Sequence, residues 1–222
     1  MRQLLLAGFV VCSFLGIAQT GVNGGITMIK GFGTPKAYPG IHLGVEIPRD
    51  DQVSYFGRIT GTLSNKNDNV RTVNVEAIDP TTTFPSAKTI DYETKMNYTN
   101  IEGGTRYYFG NGYDYGWSAY GGSMFMLSIN TVRAKFGDYD QSLYKLPDGF
   151  TDKGRIIGLN LGLNAGVKNH FSFGMLYFDM TLAYSLYAIP SNSLAAGQSS
   201  ANGGLFTPLT FSFNLGFRKD LY

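Results

Sequence analysis

The feature that most constrains the fold is a strict alternation of residue types near the C-terminus. Between Leu209 and Phe217 every odd position is apolar, and every even position is small or polar. Successive side chains of a β-strand point to opposite faces of the sheet. This segment is therefore predicted to be a strand with one apolar face and one polar face.

The same pattern recurs along the chain and predicts about eight strands in all. Clear repeats lie at 117–129, 157–167 and 176–186, and weaker ones lie at 41–47, 53–63, 73–77 and 92–109. Within 92–109 the apolar parity changes near Thr99 and Asn100. This change indicates either a β-bulge or a strand that continues beyond the membrane.

The polar face separates a membrane barrel from the alternative, a soluble β-sandwich or lipocalin-like barrel. It carries amide and charged side chains that a dry core would not accept. The chain has 29 Gly, 15 Tyr and 16 Phe, and only 15% of its residues are charged. We therefore expect an all-β protein, a closed antiparallel up-and-down transmembrane β-barrel of about eight strands.

The N-terminus has the pattern of an export signal. Arg2 precedes an apolar run from Leu4 to Ile17, and Gly16 and Ala18 supply small residues for cleavage after Ala18. The apolar run is shorter than the roughly 20 residues of a membrane-spanning helix, which is the alternative. The predicted organisation is a signal peptide at 1–18, an N-terminal segment at 19–39 and the barrel at 40–222. Whether 19–39 plugs the lumen or lies in the periplasm stays open.

The predicted topology starts in the periplasm and alternates direction from strand to strand. The connections expected outside the cell are 48–52, 79–90, 136–153 and 188–204, and those expected in the periplasm are 65–69, 110–116 and 168–170. Long outer and short inner connections are typical of outer-membrane barrels.

The lumen of such a barrel is just wide enough for its own side chains. Inward charges should pair there, because an unpaired charge in a low-dielectric interior is costly. The residues predicted for this polar lumen network are Glu46, Arg58, Glu76, Glu102, Arg106 and Asp179. We expect a plugged lumen, and the alternative for these residues is a proton or solute path.

No catalytic residues, metal site or cofactor are predicted. The two histidines, His42 and His170, fall near the predicted periplasmic side, away from the outer rim where a lipid-modifying enzyme would act. The single cysteine, Cys12, lies in the predicted signal. The formal net charge is +2 with interspersed signs, so nucleic acid is not a predicted partner.

A basic cluster around the third outer connection is the candidate contact for lipopolysaccharide phosphates. Its members are Arg133, Lys135, Lys145, Lys153 and Arg155. Aspartates are interspersed with them, so an ordinary solvated loop is the alternative.

The N-terminal signal, the alternating last strand ending at Tyr222 and the stretch IEGGTRYYFGNGYDYGWSAYGG (101–122) resemble small outer-membrane barrels of the Bacteroidota type, which belong with the OmpA/OmpX-like barrels. The resemblance covers essentially all of the mature chain. It implies a Gram-negative outer-membrane protein whose last strand is recognised by the barrel-insertion machinery. The residues that match this insertion signal are Phe211, Phe213, Leu215, Phe217 and Tyr222.

The expected function is that of a non-enzymatic envelope protein in the cell outer membrane. It would act as a structural or adhesion factor, or as an accessory subunit of a larger outer-membrane complex. The expected partners are outer-membrane lipid, lipopolysaccharide, the insertion machinery and such a complex. The alternatives are a narrow passive channel and, less favoured, a lipid-modifying barrel enzyme.

Overall fold

The computed structural model describes residues 20–34, 36–66, 71–148, 150, 153–191 and 208–221. None of these residues belongs to a helix long and apolar enough to cross a membrane. The predicted signal peptide lies outside the described residues. The strands are β1 (Thr20–Gly31), β2 (Tyr38–Pro48), β3 (Val53–Thr62), β4 (Asn65–Lys66), β5 (Arg71–Ala77), β6 (Ala87–Gly110), β7 (Trp117–Phe136), β8 (Tyr144–Lys145), β9 (Lys153–Phe171), β10 (Gly174–Ser191) and β11 (Leu209–Leu221).

Eight long strands close into a ring in the order β1-β2-β3-β6-β7-β9-β10-β11. Every pairing in the ring is antiparallel, and β3 pairs with β6 across the intervening short strands. The first and last strands close the ring, with a register that runs from Thr20 opposite Leu221 to Gly31 opposite Thr210. The predicted closed, antiparallel, up-and-down barrel of eight strands is confirmed.

The barrel is apolar outside and polar inside. Leu161 and Phe178 on the outer face are 44% and 39% exposed, whereas their neighbours Asn160 and Asp179 are 4% and 0% exposed. A soluble protein would bury the apolar set and hydrate the polar one. The alternation therefore places the apolar face against lipid, as in transmembrane barrels.

The N-terminal segment 19–39 is not separate from the barrel, and the prediction that the barrel begins at residue 40 is wrong. Residues 20–31 form β1, which pairs with β11 on one side and with β2 on the other. Its alternation is weak in the sequence because Gly21, Gly24 and Gly25 interrupt it. Even so, Asn23 and Thr27 are buried in the lumen.

The segment 73–77 was predicted as a barrel strand and lies outside the ring instead. As part of β5 it pairs with the extension of β6 at 87–92 and with β8. The strand count agrees with the prediction because this extra strand offsets the omitted β1. The residues of β5 do alternate between buried and exposed, but they belong to a part of the sheet that extends beyond the barrel.

Strand β6 keeps one parity along its whole length, so there is no bulge at Thr99–Asn100. Its pairing with β7 holds one register from Tyr92 to Gly110. From Ile90 to Tyr108 the even-numbered residues share one face, and all of them except Gly104 are buried, including Tyr92, Met96 and Tyr98. The apparent change of parity arises because the inward face itself turns from polar to apolar toward one end of the barrel.

The two ends of the barrel differ in their connections. One end, here called the terminal end, carries Thr20, Leu221 and the short connections 49–52, 111–116 and 172–173. The other, here called the loop end, lies where β1, β3, β7 and β10 end and where β2, β6, β9 and β11 begin. Two predicted placements are therefore wrong. The connection 48–52 lies at the terminal end. Asn65 and Lys66, the described residues of the predicted periplasmic connection 65–69, form β4 and pair with β6 near the loop end. Because the prediction omitted β1, the strands at 41–47 and 53–63 were expected to run in the direction opposite to that of β2 and β3.

The seam between β1 and β11 is tight at Gly25. A Cβ atom added there would meet the backbone carbonyl of Leu215 in β11, whereas one added at Gly61 in β3 would meet nothing within 4 Å. We predict that Gly25→Val lowers the free energy of unfolding by about 1–3 kcal/mol through overpacking and that Gly61→Val leaves it unchanged. The folded fraction can be measured by heat-modifiable gel migration after refolding. Equal folded fractions for the two variants would contradict a closing β1.

Candidate functional site

The barrel interior contains a connected network of charged side chains. Five of the residues predicted for the lumen lie there, each buried: Glu46, Arg58, Glu102, Arg106 and Asp179. The sixth, Glu76, is exposed on β5, and its placement in the lumen is wrong because β5 lies outside the ring.

Asp179 on β10 is one centre of this network. Arg58 of β3 donates from Nη1 to both of its carboxylate oxygens at 3.1 Å, and Arg106 of β6 donates from Nη2 at 2.8 Å. Asn214 of β11 donates to Oδ1 at 2.6 Å. Arg58 also donates from Nε to Oε2 of Glu102 at 2.8 Å. Both guanidinium groups thus share Asp179, and Arg58 also pairs with Glu102, which compensates charges removed from water.

Glu46 on β2 is the second centre. Arg106 donates to its Oε2 at 2.7 Å, so one guanidinium connects both centres. The hydroxyls of Ser54 and Tyr108 each donate to Oε1 at 2.5 Å. On the side toward the terminal end, Nη1 of Arg218 lies 3.4 Å from Oε2 of Glu46. Every oxygen of this buried carboxylate therefore has a partner, as burial requires.

Toward the terminal end the network continues through residues that the sequence analysis missed. Nε of Arg218 lies 2.9 Å from Oδ1 of Asp220, and its guanidinium carbon lies 3.8 Å from the centre of the Tyr113 ring. Lys168 donates from Nζ to the carbonyl oxygens of Tyr113 and Tyr115 at 2.8 and 3.2 Å. Continuing the even-position parity of the last strand past Phe217 would have placed Arg218 and Asp220 inside.

The buried charges among the described residues balance. The carboxylates are Glu46, Glu102, Asp179 and Asp220, and the cations are Arg58, Arg106, Lys168 and Arg218. Equal numbers of each sign leave no formal excess in the lumen. A net-neutral, hydrogen-bonded interior is what a narrow, low-dielectric space requires.

The side chain of Tyr177 on β10 packs directly over Gly216 on the neighbouring strand β11. A Cβ atom at Gly216 would lie about 2.5 Å from Cζ of Tyr177, so only glycine allows this approach. The hydroxyl of Tyr177 lies 2.6 Å from Nε2 of buried His42. His42 is thus a lumen residue, and His170 lies near the terminal end, 3.8 Å from Asp220.

The lumen changes to apolar packing nearer the loop end. The buried side chains of this apolar layer are Ile29, Tyr38, Met96, Tyr98 and Val132. The rings of Tyr38 and Tyr98 meet edge to face, with centroids 5.1 Å apart. A cavity between this layer and the polar network measures about 10 Å³, roughly the space of one water molecule.

Beyond the apolar layer, the loop end has a second small core. We call the segments 71–92 and 132–148 the loop cap. Its buried residues are Val75, Ala77, Ile90 and Tyr144, and Val73, Phe136, Tyr139 and Leu146 pack against them. The tip of the cap carries Phe84, which is 97% exposed. These connections are therefore packed on a core rather than simply solvated.

Aspartates shape the turns of the cap. The hydroxyl and backbone N–H of Thr81 and the hydroxyl of Thr82 donate to Asp79 and lower the pKa of its carboxyl. Ser142 does the same for Asp140 and lowers the pKa of that carboxyl. No group of three or more His, Cys, Asp or Glu in the described ranges has the arrangement of a metal site.

The outer face near the loop end carries a row of cations on three adjacent strands. Lys95 of β6 lies directly opposite Arg133 of β7, which lies directly opposite Lys153 of β9. We call these three residues the cation row. Lys135 and Arg155 share its face on β7 and β9. Four of the five residues predicted to contact lipopolysaccharide therefore lie on the same outer face, either in the cation row or next to it.

The fifth predicted contact, Lys145, lies elsewhere. It sits on β8 at the edge of the loop cap, and its Nζ is 3.6 Å from Oδ1 of Asp148. Beside the cation row, the ammonium of Lys66 lies 2.7 Å from Glu93 and lowers the pKa of that carboxyl. Arg133 and Lys153 form no ion pair within the described part of the chain.

The residues matched to the insertion signal follow the outer face of β11. Phe213, Leu215 and Phe217 are exposed, and Phe211 is half-buried against Phe213, with ring centroids 4.6 Å apart. Tyr222 lies outside the described residues.

The charge network predicts a large cost for removing Asp179. Asp179→Asn would leave Arg58 and Arg106 without their shared counter-charge, so we expect the free energy of unfolding to fall by about 3–5 kcal/mol. Urea unfolding in lipid vesicles measures this change. The control is Glu76→Gln on exposed β5, expected within about 0.5 kcal/mol of the unaltered protein. Similar values for both variants would show that the buried carboxylate has no special role.

No protein-family model and no curated protein sequence matches this chain. Among solved structures, a major outer membrane protein from Thermus thermophilus is similar, with 10% identity and a TM-score of 0.50 over 90% of this chain and 99% of that one. Neisserial surface protein A has 12% identity and a TM-score of 0.46 over 91% and 96%. Ail, the attachment invasion locus protein of Yersinia pestis, has 12% identity and a TM-score of 0.43 over 91% and 99%. The Bacteroidota type stays a prediction. The closed ring, the lipid-facing apolar surface and the polar interior together show that this chain has the fold of a small outer-membrane β-barrel.

Proposed function

We propose that the protein is a non-enzymatic component of the cell outer membrane, serving as an envelope structural or adhesion factor or as an accessory subunit of an outer-membrane complex. The observation that carries this proposal is the filled lumen. Charged residues occupy it from Arg218 to Arg58, and the apolar layer closes it on the loop side. Function then resides on the outer surfaces of the barrel and not in a path through it.

The loop cap supports an outward role. It extends the barrel sheet beyond the ring, and its own buried core holds the connections in place. Exposed Phe84 at the tip offers an apolar contact on a structured surface. A partner that binds a pre-ordered surface does not have to order it, which favours adhesion or complex formation.

The cation row supports contact with lipopolysaccharide. Like charges placed directly opposite one another on neighbouring strands destabilise a sheet. Multivalent anions such as the phosphates of lipopolysaccharide would offset that repulsion. The row also lies just past the apolar band, because Ile129 and Ile157 form the last apolar outward-facing pair on β7 and β9, and only the pair Thr131–Arg155 separates them from the row. That is the level where headgroups meet a membrane protein.

Two further proposals concern the insertion of the barrel and the export of the chain. We propose that the outward residues of β11 are read by the barrel-insertion machinery and that residues 1–18 are removed during export. For the accessory-subunit version, purification in a mild detergent should yield a complex with a second outer-membrane protein. A strictly monomeric species would remove that version and leave the structural or adhesion role.

The filled lumen predicts the absence of stable large conductance. Reconstituted in planar lipid bilayers, the protein should give no long-lived open level in single-channel recordings, because the apolar layer and the paired charges leave no continuous aqueous path. The matched variant Met96→Ala with Tyr98→Ala removes two large side chains from the apolar layer and should raise the frequency of brief openings. Stable large openings of the unaltered protein would instead favour the passive channel.

The cation row predicts selective loss of lipopolysaccharide binding. Each cation near an anionic surface contributes about 1 kcal/mol, so Arg133→Gln with Lys153→Gln should weaken binding by about 2 kcal/mol, or roughly 30-fold. Surface plasmon resonance with purified lipopolysaccharide at low salt measures this. Lys145→Gln is the control, because that lysine lies at the same end of the barrel but on β8, away from the cation row, with its Nζ 3.6 Å from Oδ1 of Asp148. An equal loss for the control would favour a diffuse charge effect.

A further inference from the structure

The lipid-facing surface is indented where the barrel closes. A groove of about 410 Å³ lies over the β1–β11 seam near the loop end. Its lining residues are Met28, Lys30, Phe32, Ala37, Phe211 and Phe213. It lies away from the cation row, since β1 and β7 are four strands apart in either direction around the ring.

The groove is built from outward positions of the two closing strands. Lys30 and Met28 on β1 lie directly opposite Phe211 and Phe213 on β11. The Phe211 ring turns edge-on to Phe213, and the connection after β1 brings Phe32 and Ala37 to the loop-side end of the depression. The result is an apolar channel along the barrel wall.

Lys30 is the single charged residue among the six that line the groove. It forms no ion pair with any carboxylate in the described ranges. Lys30 is the next outward-facing residue after Met28 toward the loop end, with inward-facing Ile29 between them. Its ammonium can therefore reach the headgroup layer while its methylenes cover the groove. An ammonium at the mouth of an apolar channel is complementary to a molecule with an acyl chain and an anionic head.

We propose that this groove is a specific binding site for an anionic lipid of the loop-side leaflet, with an acyl chain and a phosphate headgroup. The proposal rests on the membrane location proposed above, and phosphatidylglycerol is the probe that tests it. One acyl chain fills the channel between Met28 and the two phenylalanines of β11, and the lipid phosphate pairs with Lys30. The occupant is a lipid rather than a protein segment because the walls belong to the lipid-facing band of the barrel. The bound lipid covers the outer side of the closing seam, where it would pack against both strands at once.

The test compares lipid retention by native mass spectrometry after refolding in an equal mixture of phosphatidylglycerol and phosphatidylcholine. The unaltered protein should retain one phosphatidylglycerol in preference to phosphatidylcholine. Lys30→Gln should lower that preference by roughly five-fold. Lys219→Gln is the control, because this exposed lysine lies on the same strand pair at the terminal end.

A second pair of variants tests the acyl-chain part of the site. Ala37→Trp and, separately, Met28→Trp place a ring in the channel, and each should abolish retention of both lipids. Heat-modifiable gel migration confirms that each variant is folded, and Met28→Trp serves if Ala37→Trp does not fold. Unchanged preference in Lys30→Gln, or retention unchanged by a folded Trp variant, would overturn the proposal and leave only ordinary surrounding lipid.

Discussion

The structure depends on the pairing of its first strand with its last. Within a bilayer, an unpaired row of backbone N–H and C=O groups costs several kcal/mol per group, so a sheet is stable there only when it has no edge. The β1–β11 ladder from Thr20–Leu221 to Gly31–Thr210 removes that edge. Closure also sets which face of every strand is enclosed and how wide the interior is.

The charge network follows from that narrow interior. Several of its ion pairs join strands that are not neighbours in the ring: Arg58 connects β3 to β10, Arg106 connects β6 to both β10 and β2, and Arg218 connects β11 to β2. Backbone hydrogen bonds hold each strand only to its two neighbours. The side chains therefore connect the wall across its diameter, and a charge left without its partner would remain buried at high cost.

The outer surface divides the remaining roles between different parts of the barrel. Strands β6 and β7 extend beyond the ring, and the loop cap is built on that extension. The cation row lies on the same side, whereas the lipid groove lies over the closing seam. The terminal end has short connections, and Phe171, Phe173 and Phe217 stack there with centroids 5.3 and 6.0 Å apart. Aromatic rings are favoured at a membrane interface.

The sequence by itself determined the architecture, because period-two alternation is a local property that survives whatever the strands pair with. It placed Leu161 outside and Asp179 inside without knowledge of any partner strand. Only the tertiary structure decided which segments close the ring. Glycine-rich β1 has a weak pattern yet belongs to it, and β5 has a clear pattern yet does not. Pairing of charges also depended on closure, since Glu46 and Arg218 meet only when the two ends of the chain come together. The cation row arose likewise, because strand register placed Lys95 beside residues far along the chain.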